Sequence, residues 1–375
     1  AGAISTGTHG GAFNVGAVHD CVVGLHLVVG ANRHVYVERA SKSVVSQSFI
    51  DWLGAEWIRD DAISNAAIVS FGSFGFIHGI MLEAMPIYHL DKRTYKLPYD
   101  DSLKNALNKL DFSGLNFPEM SHSDKEPYHF EVVVNPHDFE LNNAEKGAFV
   151  KVMYKQKFNP NFRRKKGVRK GNFTYGDDAL GIIQSLIDTM GKINIDIVPI
   201  LVKKMFGLAY NPHVSDEPEI GTIGQTFGYT TVRGQAASMA MGIRLKDTSR
   251  VLEMLLDMNR EKTFPGAFAM RFVKGSDALL AFTKHPKTCV IELDGVDSKR
   301  TREFYQKVWK RMEALFIPYT LHWGKMNFDL NADLVRKMYG EDKVNKWLEC
   351  RRSLLDEGAR EVFSNRFMEQ CGLNE

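Results

Sequence analysis

The last third of the chain runs strand, helix, strand, strand, helix, and this order restricts the fold more than any other feature. Ser238–Leu245 (SMAMGIRL) reads as a strand, and Thr248–Asn259 as a helix with Val251, Leu255 and Met258 on one face. Gly266–Val273 (GAFAMRFV) and Lys287–Gly295 (KTCVIELDG) read as two successive strands with no helical crossover between them. A helix then starts at Ser298, a suitable N-cap, and carries the stripe Phe304, Val308, Met312 and Leu315. Two strands joined without a crossover pair antiparallel, so this pattern predicts an α+β lobe with helices on one face of an antiparallel sheet.

The remainder is long enough for a second lobe: 375 residues at 44% hydrophobic content exceed what one small core needs. Asp20–Gly30 and His34–Ala40 form a hairpin pattern around Gly30-Ala31-Asn32. Ser46–Ile58 has a short helical spacing, and Ile68–Met85 reads as two apolar strands interrupted by Gly72, Gly75 and Gly79. After Pro86 the composition turns polar, with a weak helix near Ser102–Leu110. His129–Phe139 is a strand ending in a turn. Gly147–Phe158 alternates, with Val150, Val152 and Tyr154 on one side and Lys151, Met153 and Lys155 on the other. A basic loop over Asn159–Thr174 precedes helical stretches at Asp178–Met190 and Ile195–Phe206, the latter interrupted by Pro199. The tail, Asn331–Gly372, is mostly helical.

Several function classes are disfavoured at once. Lys and Arg number 48 against 45 Asp and Glu, so net charge gives no reason to expect nucleic acid. The basic cluster Arg163, Arg164, Lys165, Lys166, Arg169 and Lys170 is read as a solvated loop, with an anion- or nucleic-acid-binding surface as its alternative. Cys21, Cys289, Cys350 and Cys371 form no CxxC pair, and the twelve histidines include neither HExxH nor HxH, so no metal site is expected. The absence of a disulfide pattern leans towards an intracellular site. The longest apolar run, Ala66–Leu82, is short and contains Ser70, Ser73 and His78, so no membrane span is expected.

Four local features can carry chemistry, each beside a plainer reading. Ser5-Thr6-Gly7-Thr8-His9-Gly10-Gly11 can bring backbone N–H groups close to a phosphate, or be a simple turn. It is not a P-loop, since no Gly-Lys-Ser/Thr follows, and no strand–helix unit makes it a dinucleotide fingerprint. Phe71–Ile77 (FGSFGFI) suggests close approach of a ligand, or tight strand packing. Leu321-His322-Trp323-Gly324-Lys325 groups an imidazole, an indole and an ammonium suited to gripping a flat ring, or is a surface loop. On Ala267–Val273, alternation sets Ala267, Ala269, Arg271 and Val273 opposite Phe268, Met270 and Phe272. Arg271 therefore projects away from the core face, to a site or to solvent.

Taken in order, these features resemble the FAD-linked oxidases of the vanillyl-alcohol oxidase type. The nearest branch is that of the aldonolactone oxidases, alditol oxidases and flavin-linked cholesterol oxidases. AGAISTGTHGG with DCVVGLHLVVG resembles the family's S-x-G-T-H-G segment and the strand after it. ISNAAIVSFGSFGFIHGIMLEAMP resembles its Gly-rich adenine-side strands, and FEVVVNPHD the start of its cap domain. FIPYTLHWGKMN with RRSLLDEGAREVFSNRFMEQCGL resembles its P-H-W-G-K motif and terminal helix. Pro160–Gly234 carries no part of the likeness.

The resemblance implies a two-lobe α+β FAD-binding fold. Residues 1–90 would form the second FAD-binding subdomain, 91–325 the substrate cap, and 326–375 helices returning to the FAD lobe. Ser5, Gly7, Thr8, His9, Gly10 and Gly11 would line the FAD pyrophosphate and ribityl chain, and Gly72, Gly75 and Ile77 its adenine end. Arg271, His322 and Lys325 would be catalytic, with Lys325 also touching the flavin. A small-molecule alcohol would lose hydride to the flavin. Lys325 and Arg271 would stabilise negative charge, His322 would orient the hydroxyl or accept its proton, and dioxygen or another acceptor would take the electrons.

Three departures from the pattern matter. The glutamate of the family's E-x-R strand is Ala269 here, which removes a carboxylate and points to a less polar alcohol than a sugar lactone. HWGK is preceded by Leu321 instead of Pro. The N-terminal FAD subdomain that precedes S-x-G-T-H-G in the family is missing from this sequence. Ala269 and that missing part also leave open a non-catalytic binding or interaction protein on the same scaffold.

Overall fold

The computed structural model describes residues 2–115, 117, 126–162, 197–227 and 236–375. The basic loop Arg163–Lys170 and the expected helix Asp178–Met190 lie outside the described residues.

A four-stranded sheet comprises β1 (Val22–Gly30), β2 (Arg33–Glu38), β3 (Glu56–Arg59) and β4 (Phe76–Leu82), in the order β3-β2-β1-β4. The hairpin of β1 and β2 is as the sequence pattern predicts. The expected helix over 46–58 divides. Its first part is the helix Gln47–Leu53, capped by Ser46, while Glu56–Arg59 pairs parallel with β2. Residues 68–85 yield one strand instead of two, because Phe71, Gly72 and Gly75 take left-handed backbone and make a turn between the helix Asp61–Ala67, capped by Asp60, and β4.

The eight-stranded sheet adds β5 (Tyr88–Leu97), β6 (His129–Val134), β7 (Ala148–Lys157), β8 (Ser215–Gly221), β9 (Ala236–Arg244), β10 (Gly266–Lys274), β11 (Lys287–Val296) and β12 (Thr320–Leu321). Their order is β12-β9-β11-β10-β6-β7-β5-β8, with every pairing antiparallel. Neither β5 nor β8 stands out in sequence. Both are polar for strands, and β5 is recruited by a ten-residue register with β7.

One face of this sheet is dry. Phe268, Met270 and Phe272 of β10 join Met239, Met241, Ile291 and Leu293 in a core that continues into the four-stranded sheet. Helices Thr248–Glu261 and Lys299–Ala314 cover it, and Ser298 caps the second through its hydroxyl. Helices are not confined to that face, contrary to expectation. Val198–Ala209 packs Val202 and Phe206 onto Val133, Phe149, Ala267 and Ala269 on the other side. Pro199 does not interrupt this helix; it lies in the first turn, where its missing N–H has no helical partner to lose.

The C-terminal helices close onto the smaller sheet. Trp347 Nε1 donates to the Val69 carbonyl (3.2 Å). Buried Arg351 donates to the carbonyls of Ser73, Arg360, Asn374 and Glu375. Among the described residues no helix is long and apolar enough to cross a membrane.

Candidate active site

The second face of the eight-stranded sheet carries a polar row beside the apolar cluster under Val202 and Phe206, and strand register explains how. Arg271 on β10 lies directly opposite Glu131 on β6, and Glu131 lies opposite Lys151 on β7. On the other flank, Glu292 of β11 is the register partner of Ala269. The side chains form a row of alternating charge. Lys325 pairs with Glu292 Oε1, and Arg271 Nη1 is 3.1 Å from Glu292 Oε2. Arg271 Nη2 is 3.5 Å from Glu131 Oε1, and Lys151 Nζ is 3.0 Å from Glu131 Oε2. His129 Nε2 approaches the same oxygen at 3.2 Å.

Both carboxylates are buried, so pairing decides their charge state. Burial alone would raise Glu292, but Arg271, Lys325 and His9 outweigh it and hold the carboxyl at about 2. Glu131 behaves alike: Lys151 and Arg271 overcome the burial penalty and keep it well below the usual carboxylate range. Asp294, two residues beyond Glu292 on the same face, is raised by burial against the pull of Lys325, and accepts from Ser238 Oγ at 2.5 Å. Three cations thus face two firmly ionised carboxylates, an arrangement that favours a further negative charge.

The loop Ser5–Gly11 crosses this face. Its ends are pinned: the Ser5 carbonyl accepts from Phe71 N, and the Gly11 carbonyl accepts from Phe130 N. Gly7 has φ +86°, a left-handed conformation that favours glycine. Gly11 is required for space, since a Cβ there would lie 2.5 Å from the His129 ring. The loop also reaches the His322–Lys325 turn, because a Cβ on Gly324 would lie 2.8 Å from Thr6 Oγ1. That turn is fixed along β9. His322 N donates to the Ala240 carbonyl, Met326 N donates to that of Ser238, and Asn327 Nδ2 donates to those of His322 and Trp323.

Hydrogen-bond partners assign the two histidines. The Gly324 N–H donates to His322 Nδ1 (2.9 Å), so a neutral His322 carries its proton on Nε2 and can only donate there. His9 is the reverse: Nδ1 faces the Gly10 carbonyl (2.9 Å) and must donate, which leaves a lone pair on Nε2, 3.6 Å from Glu292 Oε1. Burial, opposed by Glu292, pushes His9 down to about 4. Burial, with His9 and Lys325 nearby, pushes His322 to about 3. Both rings are therefore neutral at pH 7.

The structure brings His9, Arg271, His322 and Lys325 together, along with the backbone of Ser5–Gly11. Gly72 and Gly75 lie in the turn that donates to Ser5 through Phe71 N. Ile77 pairs with Leu27 and packs against the core. Trp323 does not grip a ring at the site as expected. It stacks on Tyr339 (5.6 Å, 10°), touches Phe71 and donates to the Leu280 carbonyl, so it anchors the turn from the core side. Position 269 brings no carboxylate, as its alanine implies, but a carboxylate lies across the strand pair in its register partner Glu292. Sequence reasoning missed Glu292, Glu131, His129 and Lys151. Alternation placed a charged residue on one face of each strand, but the strand order that gathers them is not written in any single strand.

The D-arabinono-1,4-lactone oxidase family model matches residues 129–371, which is more than half of the chain. The chain belongs to that family. It is 25% identical over 412 residues to L-gulonolactone oxidase 3 of Arabidopsis thaliana, an alignment covering 98% of this chain. It spans 63% of the length of that relative.

Solved structures share the fold. Glucooligosaccharide oxidase from Acremonium strictum matches with a TM-score of 0.53 at 11% identity, over 96% of this chain and 69% of that one. A variant of berberine bridge enzyme matches with a TM-score of 0.54 at 13% identity, over 96% and 68% respectively. The architecture is that of FAD-linked oxidases of the vanillyl-alcohol oxidase type, and FAD is the cofactor these likenesses indicate.

Proposed function

We propose that the protein works as an FAD-dependent oxidase removing hydride from a CH–OH carbon of a sugar lactone. The observation that carries this reading is the net-positive row Lys325–Glu292–Arg271–Glu131–Lys151 beneath the Ser5–Gly11 loop. The family match favours a sugar lactone over the less polar alcohol expected from Ala269, and Glu292 removes the reason for that expectation.

The residues present suit FAD. Hydroxyls and open backbone at Thr6–Gly11 match a pyrophosphate: a Cβ on Gly10 would meet nothing within 4 Å, so a ligand can approach the chain there. Gly72, equally open, and Gly75 would serve the adenine end, as would the backbone of Ile77. Bound FAD supplies the hydride acceptor, and dioxygen or another acceptor removes the electrons.

Lys325 and Arg271, with side chains 22% and 26% exposed, reach the opening of the row. They hold negative charge as the substrate hydroxyl loses its proton. His322 orients the substrate by donating from Nε2. His9, with its Nε2 lone pair, is the ring able to accept the proton, a role that sequence reasoning gave to His322.

The test is anaerobic mixing of the full-length flavoprotein with aldonolactones and with simple alcohols, followed through the visible flavin bands. Bleaching by lactones supports the reading. A flavin that stays oxidised with every lactone and alcohol would defeat it and favour a binding protein on an oxidase scaffold.

A further inference from the structure

Glu292 stands out because it meets two cations, one at each carboxylate oxygen. Its Oε1 takes Lys325 and its Oε2 faces Arg271, so the two oxygens set the separation of the two groups that reach the opening. Only 2% of its side chain is exposed, so it acts from beneath them. Position 269, across the strand pair, cannot do this. Ala269 belongs to the apolar cluster under Val202 and Phe206, so a larger polar side chain there would collide with the Val198–Ala209 helix.

We propose that Glu292 is the positioning residue of the site, supplying from β11 the carboxylate that the E-x-R pattern puts at 269, and holding Lys325 and Arg271 side by side. This rests on the oxidase reading for its consequence in catalysis, but the clamp itself is a charge arrangement open to separate measurement. Glu292 bears no proton in the reaction; removing it takes from Lys325 its carboxylate partner and leaves Arg271 with Glu131 but not the anion it shares with Lys325.

The experiment uses the full-length flavoprotein and its Glu292→Gln variant, titrated calorimetrically with sulfate. Without the carboxylate, Lys325 and Arg271 form an anion site, and sulfate should bind at least about tenfold more tightly than to wild type. Sulfate affinity within twofold of wild type in folded E292Q would overturn the proposal.

The second variant, Glu292→Asp, keeps the charge and the fold while withdrawing the carboxylate by one methylene. It should leave sulfate binding weak, and slow lactone-driven flavin reduction about tenfold with KM less affected. A wild-type reduction rate in E292D would also overturn the proposal, whether or not E292Q folds. Sulfate capture by E292Q in a protein whose wild-type flavin no lactone bleaches would uphold the clamp and sink the oxidase reading.

Discussion

The two faces of β10 differ more than any two surfaces of this molecule, though they share one backbone. Phe268, Met270 and Phe272 enter a continuous apolar core; on the other side Arg271 meets the buried ion pairs, next to Ala269 in the small apolar cluster under Val202 and Phe206. The first face is stabilised by non-directional burial, worth roughly 1.5–3 kcal/mol for each large apolar side chain. The second gains little net stability, because desolvating Glu131, Glu292 and their partners offsets most of the attraction. A charged row that stabilises so little is accounted for by the proposed oxidase site better than by the fold.

The sharpest way to test this contrast is to cut each face in turn. Phe268→Ala should lower unfolding free energy by about 3–5 kcal/mol in denaturant titrations, since the fully buried ring stacks on both Phe264 and Phe304. A loss under about 1 kcal/mol would mean that the dry face is not the stabilising one. On the other face, Lys325→Met should leave circular dichroism unchanged and slow lactone-driven flavin reduction by about 100-fold or more. An unaltered rate would remove Lys325 from the chemistry.

Acid should separate the faces as well. His9 and His322 titrate at about 4 and about 3 when folded, below the ordinary 6.5, so the unfolded chain takes up protons first. Their contribution to stability is complete above pH 6.5 and is lost as pH falls towards 4 and 3. Glu292 and Glu131, held low in the folded state, add their own slope as pH falls into the ordinary carboxylate range, and the same amount in wild type and in a His9 variant that keeps them paired. Between pH 6.5 and 4.5, His9→Gln should flatten the stability profile by up to about 1 kcal/mol per pH unit. An unchanged slope would show that His9 is solvated in the folded state.

The smallest effect belongs to neither face. Lys299 and Glu303 form an exposed pair at 3.8 Å on the outer helix, and Lys299→Ala should cost under about 0.5 kcal/mol in thermal unfolding. A larger loss would mean that exposed charge stabilises this fold more than the contrast allows.

Much of this was readable without coordinates. The alternation in Ala267–Val273 separated Arg271 from the phenylalanines, and STGTHGG and HWGK marked two further segments that meet at the site. Helix stripes and the Ser298 cap followed from spacing alone, because they are local. Asp60, which caps an unforeseen helix over Asp61–Ala67 just ahead of the expected strands, was a missed signal of the same local kind.

Pairing lay beyond the sequence. Nothing in HFEVVV says that Glu131 will lie between Arg271 and Lys151, and nothing in KTCVIELDG says that Glu292 will face Ala269. A strand's periodicity determines which side chains share its own face, since that depends on bonds two residues apart. Which strands become neighbours, and hence which charges meet, depends on contacts between residues from 20 to 140 positions apart, and only the folded sheet decides them.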